Sequence, residues 1–149
     1  MNPAILLPIV LVFAAGGLIS LQAPTNALLA RAGGSPVIAA LISFAVGTVA
    51  LMVVALASGP RPAAAAFARL PAYAWLGGVY GACYVAIAAF AAPRIGLGSL
   101  VTIGIAGQIL MAIALDHFGM LGLAREPVSL LRIGGAALVL AGVVMVRKG

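Results

Sequence analysis

Few residues in this chain have side chains that could do chemistry, and those few are amides, phenols and one acid–imidazole pair. Gln22 and Asn26 stand four apart in LQAPTNALLA (21–30), the spacing that puts two side chains on one face of a helix. Amides donate and accept hydrogen bonds without carrying charge, so this pair could coordinate a polar solute. Pro24 lies between them. It has no N–H, and its ring clashes with the Ser20 carbonyl, so a kink that frees that carbonyl is expected. Gln108 stands between Gly107 and Ile109, a second amide approached by bare backbone. Tyr80 and Tyr84 share a helix face, and Tyr73, seven residues earlier, extends it. Asp116 and His117 are adjacent. A carboxylate beside an imidazole could relay protons, because histidine changes charge near neutral pH.

Each of these residues also has a plainer reading. Amides in lipid often serve as glue between helices, and Thr25–Asn26 could lie at a helix end, five residues before Arg31. Tyr73 and Trp75 suit an interfacial aromatic belt, and the Tyr80 and Tyr84 hydroxyls could make structural hydrogen bonds. Asp116 could pair with Arg125 or another loop arginine. Arg94 could attract anions, although anchoring suits it better, and Glu126 suits the N-terminus of a last helix. There is no phosphate-binding loop, no zinc-ligand spacing and no Ser/His/Asp set, so neither catalysis nor a metal or cofactor site is expected. The single cysteine, Cys83, excludes an intrachain disulfide.

The elements that must position these residues follow from composition. Of 149 residues, 65% are hydrophobic, only eight are basic and two acidic, and the mean hydropathy is +1.29. A soluble domain carries about a quarter charged residues; this chain cannot coat a water-soluble particle, so it is read as an integral membrane protein. The net charge of +6 does not suggest nucleic acid, because the basic residues stand singly at the ends of apolar runs, where they act as anchors and topology signals. The N-terminus lacks the basic region of a cleavable signal, so the first span is expected to be retained.

Uncharged runs between the charges predict five transmembrane helices, at about 3–30, 36–58, 71–92, 96–118 and 127–147, in one domain. A span needs about 20 residues; the last run reaches that length only if its helix starts near Pro127 and Arg132 snorkels to the headgroups. Pro36, Pro71 and Pro127 suit first helical turns. A lipid-exposed sheet is excluded by its unsatisfied edges. Gly77-x-x-x-Gly81 permits close helix approach, Ser43-x-x-x-Gly47 is a weaker packing signal, and Gly135 and Gly142, seven apart, would form a flat face for dimer packing.

Counted by side, Arg61, Arg69, Arg125 and Arg132 oppose Arg31, Arg94, Arg147 and Lys148. Four against four leaves no positive-inside bias. Either one orientation wins weakly, or the protein inserts both ways. In the second case two opposed copies of five helices make a ten-helix inverted repeat, the architecture of many secondary transporters.

LQAPTNALLA (21–30), AGQILMAIALDHFG (106–119) and EPVSLLRIGGAALVLAGVVMV (126–146) resemble the YdcZ family of short inner-membrane proteins in the drug/metabolite transporter superfamily. The last segment is also similar to the final helix of each half of the EamA-type transporters. The resemblance implies an all-α membrane protein that is half of a ten-helix inverted-repeat transporter fold, in the bacterial inner membrane and paired with itself or a homologous five-helix partner. The expected function is antiparallel homodimeric transport of small metabolites, with Gln22, Asn26, Tyr80, Tyr84 and Gln108 around a midplane site. No carboxylate lies mid-span, so small organic cations are less natural substrates. The alternatives are a non-transporting scaffold or regulatory subunit, or one half of a heterodimeric transporter.

Overall fold

The computed structural model describes residues 3–59 and 67–149. Arg61 and the small-residue linker Pro62–Ala66 lie outside the described residues. The described residues form helices joined by turns, without strands. Five helices among them are long and apolar enough to cross a membrane. They fall into two compact units, residues 1–94 and 95–149.

The first unit holds α1 (Pro3–Gly33), α2 (Pro36–Ser58) and α3 (Gly77–Ile95). α1 is 31 residues long and continues past the expected end at 30, running unbroken through Pro8 and Pro24. It packs against α2 across a tight turn whose residues each have a physical role. Gly34 takes a left-handed conformation, φ 70°, which glycine adopts without the clash of a β-carbon. Ser35 caps α2, its hydroxyl accepting from the Val37 N–H at 3.2 Å, and Pro36 fills the first helical position, where an N–H would have no partner. A β-carbon at Gly33 would come within 3.0 Å of the Ile38 side chain, so glycine there lets the helices meet. α2 ends at Gly59 (φ 67°), whose N–H returns to the Ala55 carbonyl.

The third span departs from expectation at its start. Residues Ala72–Leu76 form a 3-10 turn after Pro71, and the α-helix begins at Gly77. The tighter winding of a 3-10 turn takes Tyr73 off the α-helical register that would align it with Tyr80. Phe67 and Trp75 gather at this end with ring centroids 6.2 Å apart, an aromatic cluster at a span's start. Of the Gly77/Gly81 pair only Gly81 is closely approached: a β-carbon there would meet the Phe44 ring at 3.0 Å, while Gly77 has open space. The buried positions of this unit are mostly small: Ala23, Ala27, Ala39, Ala40, Ala88 and Ala89. Lipid gives no hydrophobic drive for helices to associate, so close backbone approach through small residues does the packing.

The second unit is a helical hairpin, α4 (Leu97–Phe118) and α5 (Leu130–Lys148). The start of α4 meets the end of α5 at Gly98, where a β-carbon would stand 3.6 Å from the Val146 side chain, and the opposite ends are tied by an ion pair described below. The last helix starts at Leu130, three residues later than expected. Pro127 therefore lies ahead of the helix and outside its first turn; Ser129 is the cap, accepting from the Arg132 N–H at 3.2 Å. A serine side chain competes for backbone donors and favours this position, a signal that outweighs the proline.

Candidate functional site

α1 gives the first half of the polar constellation. Asn26 is 3% exposed and is the one buried polar residue among those described. It sits with Ala23 and Ala27 on the buried face, and Gln22 beside them is half-buried. Thr25 is exposed, and its hydroxyl donates to the carbonyls of Leu21 (3.1 Å) and Gln22 (2.9 Å). That bond hides the hydroxyl against its own helix, so threonine costs little in lipid, and such back-bonding tends to bend a helix. Ser20 does the same to Gly16 at 3.1 Å. Since α1 continues for two turns beyond Asn26, the amide pair does not mark a helix end.

Tyr80 is 63% exposed and Tyr84 stands at the edge of exposure on α3; neither shares the buried face that holds Asn26. Gln108 occupies the middle of α4, and its side chain is exposed. Ala106 is the buried residue of that stretch, so within its unit the amide points away from the face that α5 covers. Gly135 is exposed, Gly142 is half-buried, and neither has an atom within 4 Å of where a β-carbon would stand. Leu138 between them is 75% exposed. Ser43 is half-buried, and Gly47 is likewise open.

Asp116 and His117 belong to a folded clasp joining the ends of α4 and α5. Gly119 ends α4 in a left-handed conformation (φ 61°), its N–H returning to the Asp116 carbonyl at 3.2 Å. The same carbonyl accepts from the Glu126 N–H at 2.8 Å. Arg125 Nε donates to the His117 carbonyl at 3.2 Å, and the Val128 N–H donates to His117 Nδ1 at 3.2 Å. An Nδ1 that accepts has no proton, so the neutral ring carries its proton on Nε2. The ion pair is formed by Arg132: Nη1 stands 3.3 Å from Asp116 Oδ2, and Nη2 bonds Glu126 Oε2.

Sequence reasoning expected an arginine for Asp116 but missed that one guanidinium takes both carboxylates of the chain. Glu126, expected at a helix N-terminus, lies four residues ahead of the helix and reaches Arg132 in its first turn. Arg132, expected to snorkel to the headgroups, turns to protein instead. The only signal was that both acids of the chain flank one short loop. Arg94 also turns to protein: Nη1 donates to the Phe90 carbonyl, and the guanidinium lies 3.7 Å from the centroid of the Phe90 ring. No group of three or more metal-ligating side chains occurs among the described residues.

The first unit offers one buried amide, Asn26, and the second an exposed amide, Gln108, with a charged clasp at one end of its hairpin. No curated protein and no solved structure matches the chain. A family model described as "Putative inner membrane exporter, YdcZ" matches residues 7–145. That match reaches into all five apolar helices and includes the segments that carry Asn26, Gln108 and the clasp, and the chain therefore belongs to this family: it is a multi-pass inner-membrane protein and a transporter.

Proposed function

We propose that the protein is a secondary transporter of small polar metabolites that works as an antiparallel homodimer. Gln22, Asn26, Tyr80, Tyr84 and Gln108 of both copies surround a midplane site, and rocking of the two halves gives alternating access. The observation that carries this reading is the exposed amide of Gln108 at mid-span. An amide facing hydrocarbon without a hydrogen-bond partner costs several kcal/mol. It is relieved by a polar path or by a second copy of the chain, and the dimer supplies both. Pro24, two residues before the buried Asn26, supports it further: a proline has no N–H to give, so it leaves the Ser20 carbonyl without its helical partner beside the amide. Asp116 and His117 are a candidate proton-coupling pair, with the plain ion-pair role of Asp116 as the competing reading.

The test is thiol access at mid-span. In a Cys83→Ser background, Gln108→Cys and Asn26→Cys are treated in intact membranes with a water-soluble maleimide. Labelling at 108, slowed by a transported solute, is the expected result. Complete protection at both positions, with no cross-link between copies at 108, would sink the reading and leave the amides as glue within a scaffold.

A further inference from the structure

Between α2 and α3 lies an apolar groove of about 380 Å³, lined by Val37, Leu41 and Phe44 on one side and Ala82, Cys83 and Ala86 on the other. Its volume falls within the usual range of ligand clefts, about 300–1,000 Å³. From Val37 to Phe44 the α2 wall rises about 10 Å, so the groove extends from a membrane end into the hydrocarbon. At that end the chain carries two cations. Arg31 closes α1 just across the tight turn from Val37. Arg94 closes α3, eleven residues beyond Cys83, with Phe90 seven residues beyond it, and both spacings keep one face of a helix. The Arg94 guanidinium is held by the Phe90 carbonyl and ring, which leaves most of its five N–H donors unused. Among the described residues neither arginine is in an ion pair, and Arg132 holds both Asp116 and Glu126. An apolar slot with two cations at its membrane end, neither paired with a carboxylate among the described residues, is complementary to one class of molecule, a chain with an anionic head.

We propose that this groove binds an anionic phospholipid, with an acyl chain along Leu41, Cys83 and Ala86 and its phosphate toward Arg31 and Arg94. Basic residues at the ends of grooves between membrane helices select such headgroups.

The test uses the full chain in mild detergent, with native mass spectrometry against dioleoyl phosphatidylglycerol and dioleoyl phosphatidylcholine. Retention of phosphatidylglycerol should exceed that of phosphatidylcholine by about tenfold or more for two basic contacts. Arg31→Gln combined with Arg94→Gln should bring the ratio close to one. Both arginines are exposed, so the variant should keep its helicity by circular dichroism. Cys83 is the single cysteine and is exposed in the groove, so its reaction with a membrane-permeant maleimide reports occupancy. It should slow in vesicles containing phosphatidylglycerol relative to pure phosphatidylcholine, and the double variant should abolish the difference. Equal retention of the two lipids overturns the proposal, as does a preference that survives loss of both arginines. Cys83 protection that follows protein density rather than lipid charge would assign the groove to a second copy of the chain and also overturn it.

Discussion

Gly119 is the most constrained residue of the clasp. Its left-handed backbone disfavours any β-carbon by about 1–2 kcal/mol, and the space is also taken, by Arg125 Cβ at 3.1 Å and the Leu123 carbonyl at 3.4 Å. Gly119→Ala should therefore lower the apparent melting temperature in detergent. Gly134→Ala, in open space within α5, should leave it unchanged or raise it. Arg132→Gln removes a pair whose members are partly exposed, so the loss should stay near 1 kcal/mol. The backbone bond from Glu126 to the Asp116 carbonyl holds the loop meanwhile, and unfolding followed by tryptophan fluorescence would check this. The residue types of the site were legible because polar groups are rare in this chain. Their partners were not. Arg132 is sixteen residues from Asp116, and periodicity is silent on which of two nearby arginines turns inward. The burial of Asn26 and the exposure of Gln108 were equally hidden, because nearly every neighbour of each is apolar and no stripe marks the covered face.

At the scale of elements, the five spans were readable from charge spacing alone, since a buried charge in lipid is costly enough to mark every boundary. Helix ends were less readable. Pro127 and Pro71 both looked like first-turn prolines. One lies ahead of a serine cap and the other ahead of a 3-10 turn, outcomes set by local hydrogen bonding. The α5 face of Gly135, Leu138 and Gly142 is open in the single chain. If this face pairs with a second copy, Gly135→Leu and Gly142→Leu should leave secondary structure intact while abolishing dimers on chemical cross-linking; dimers that persist would move the interface elsewhere. Gly96 alone separates α3 from α4, at φ 79°, ψ 152°, a region open essentially to glycine. Gly96→Ala should lose at least about 1 kcal/mol, read as a drop in folded yield and melting temperature.

For the whole molecule, the balance of four cations against four makes orientation easy to tip. Reporters fused to Gly149, one active only in the cytoplasm and one only outside, should both give signal if the chain inserts both ways. Arg147→Ser with Lys148→Ser should then bias one orientation, and Arg61→Ser with Arg69→Ser the other. Each variant alone should lose transport, and co-expression should restore it. A single signal from the unaltered chain would mean that it needs a homologous partner of opposite orientation, or that it is not a transporter of this antiparallel kind.

The length of α1 has its own consequence. Thirty-one residues make a rod about 46 Å long, against a hydrocarbon layer of about 30 Å, and the rod is uncharged from Pro3 to Ala30. A bilayer meeting it must thicken locally, or the rod must tilt, and either response has an elastic cost that depends on acyl-chain length. The first helix thus acts as a ruler of the membrane around it. Its tilt, and with it the angle at which Asn26 enters the bilayer, is set partly by the lipids the cell supplies.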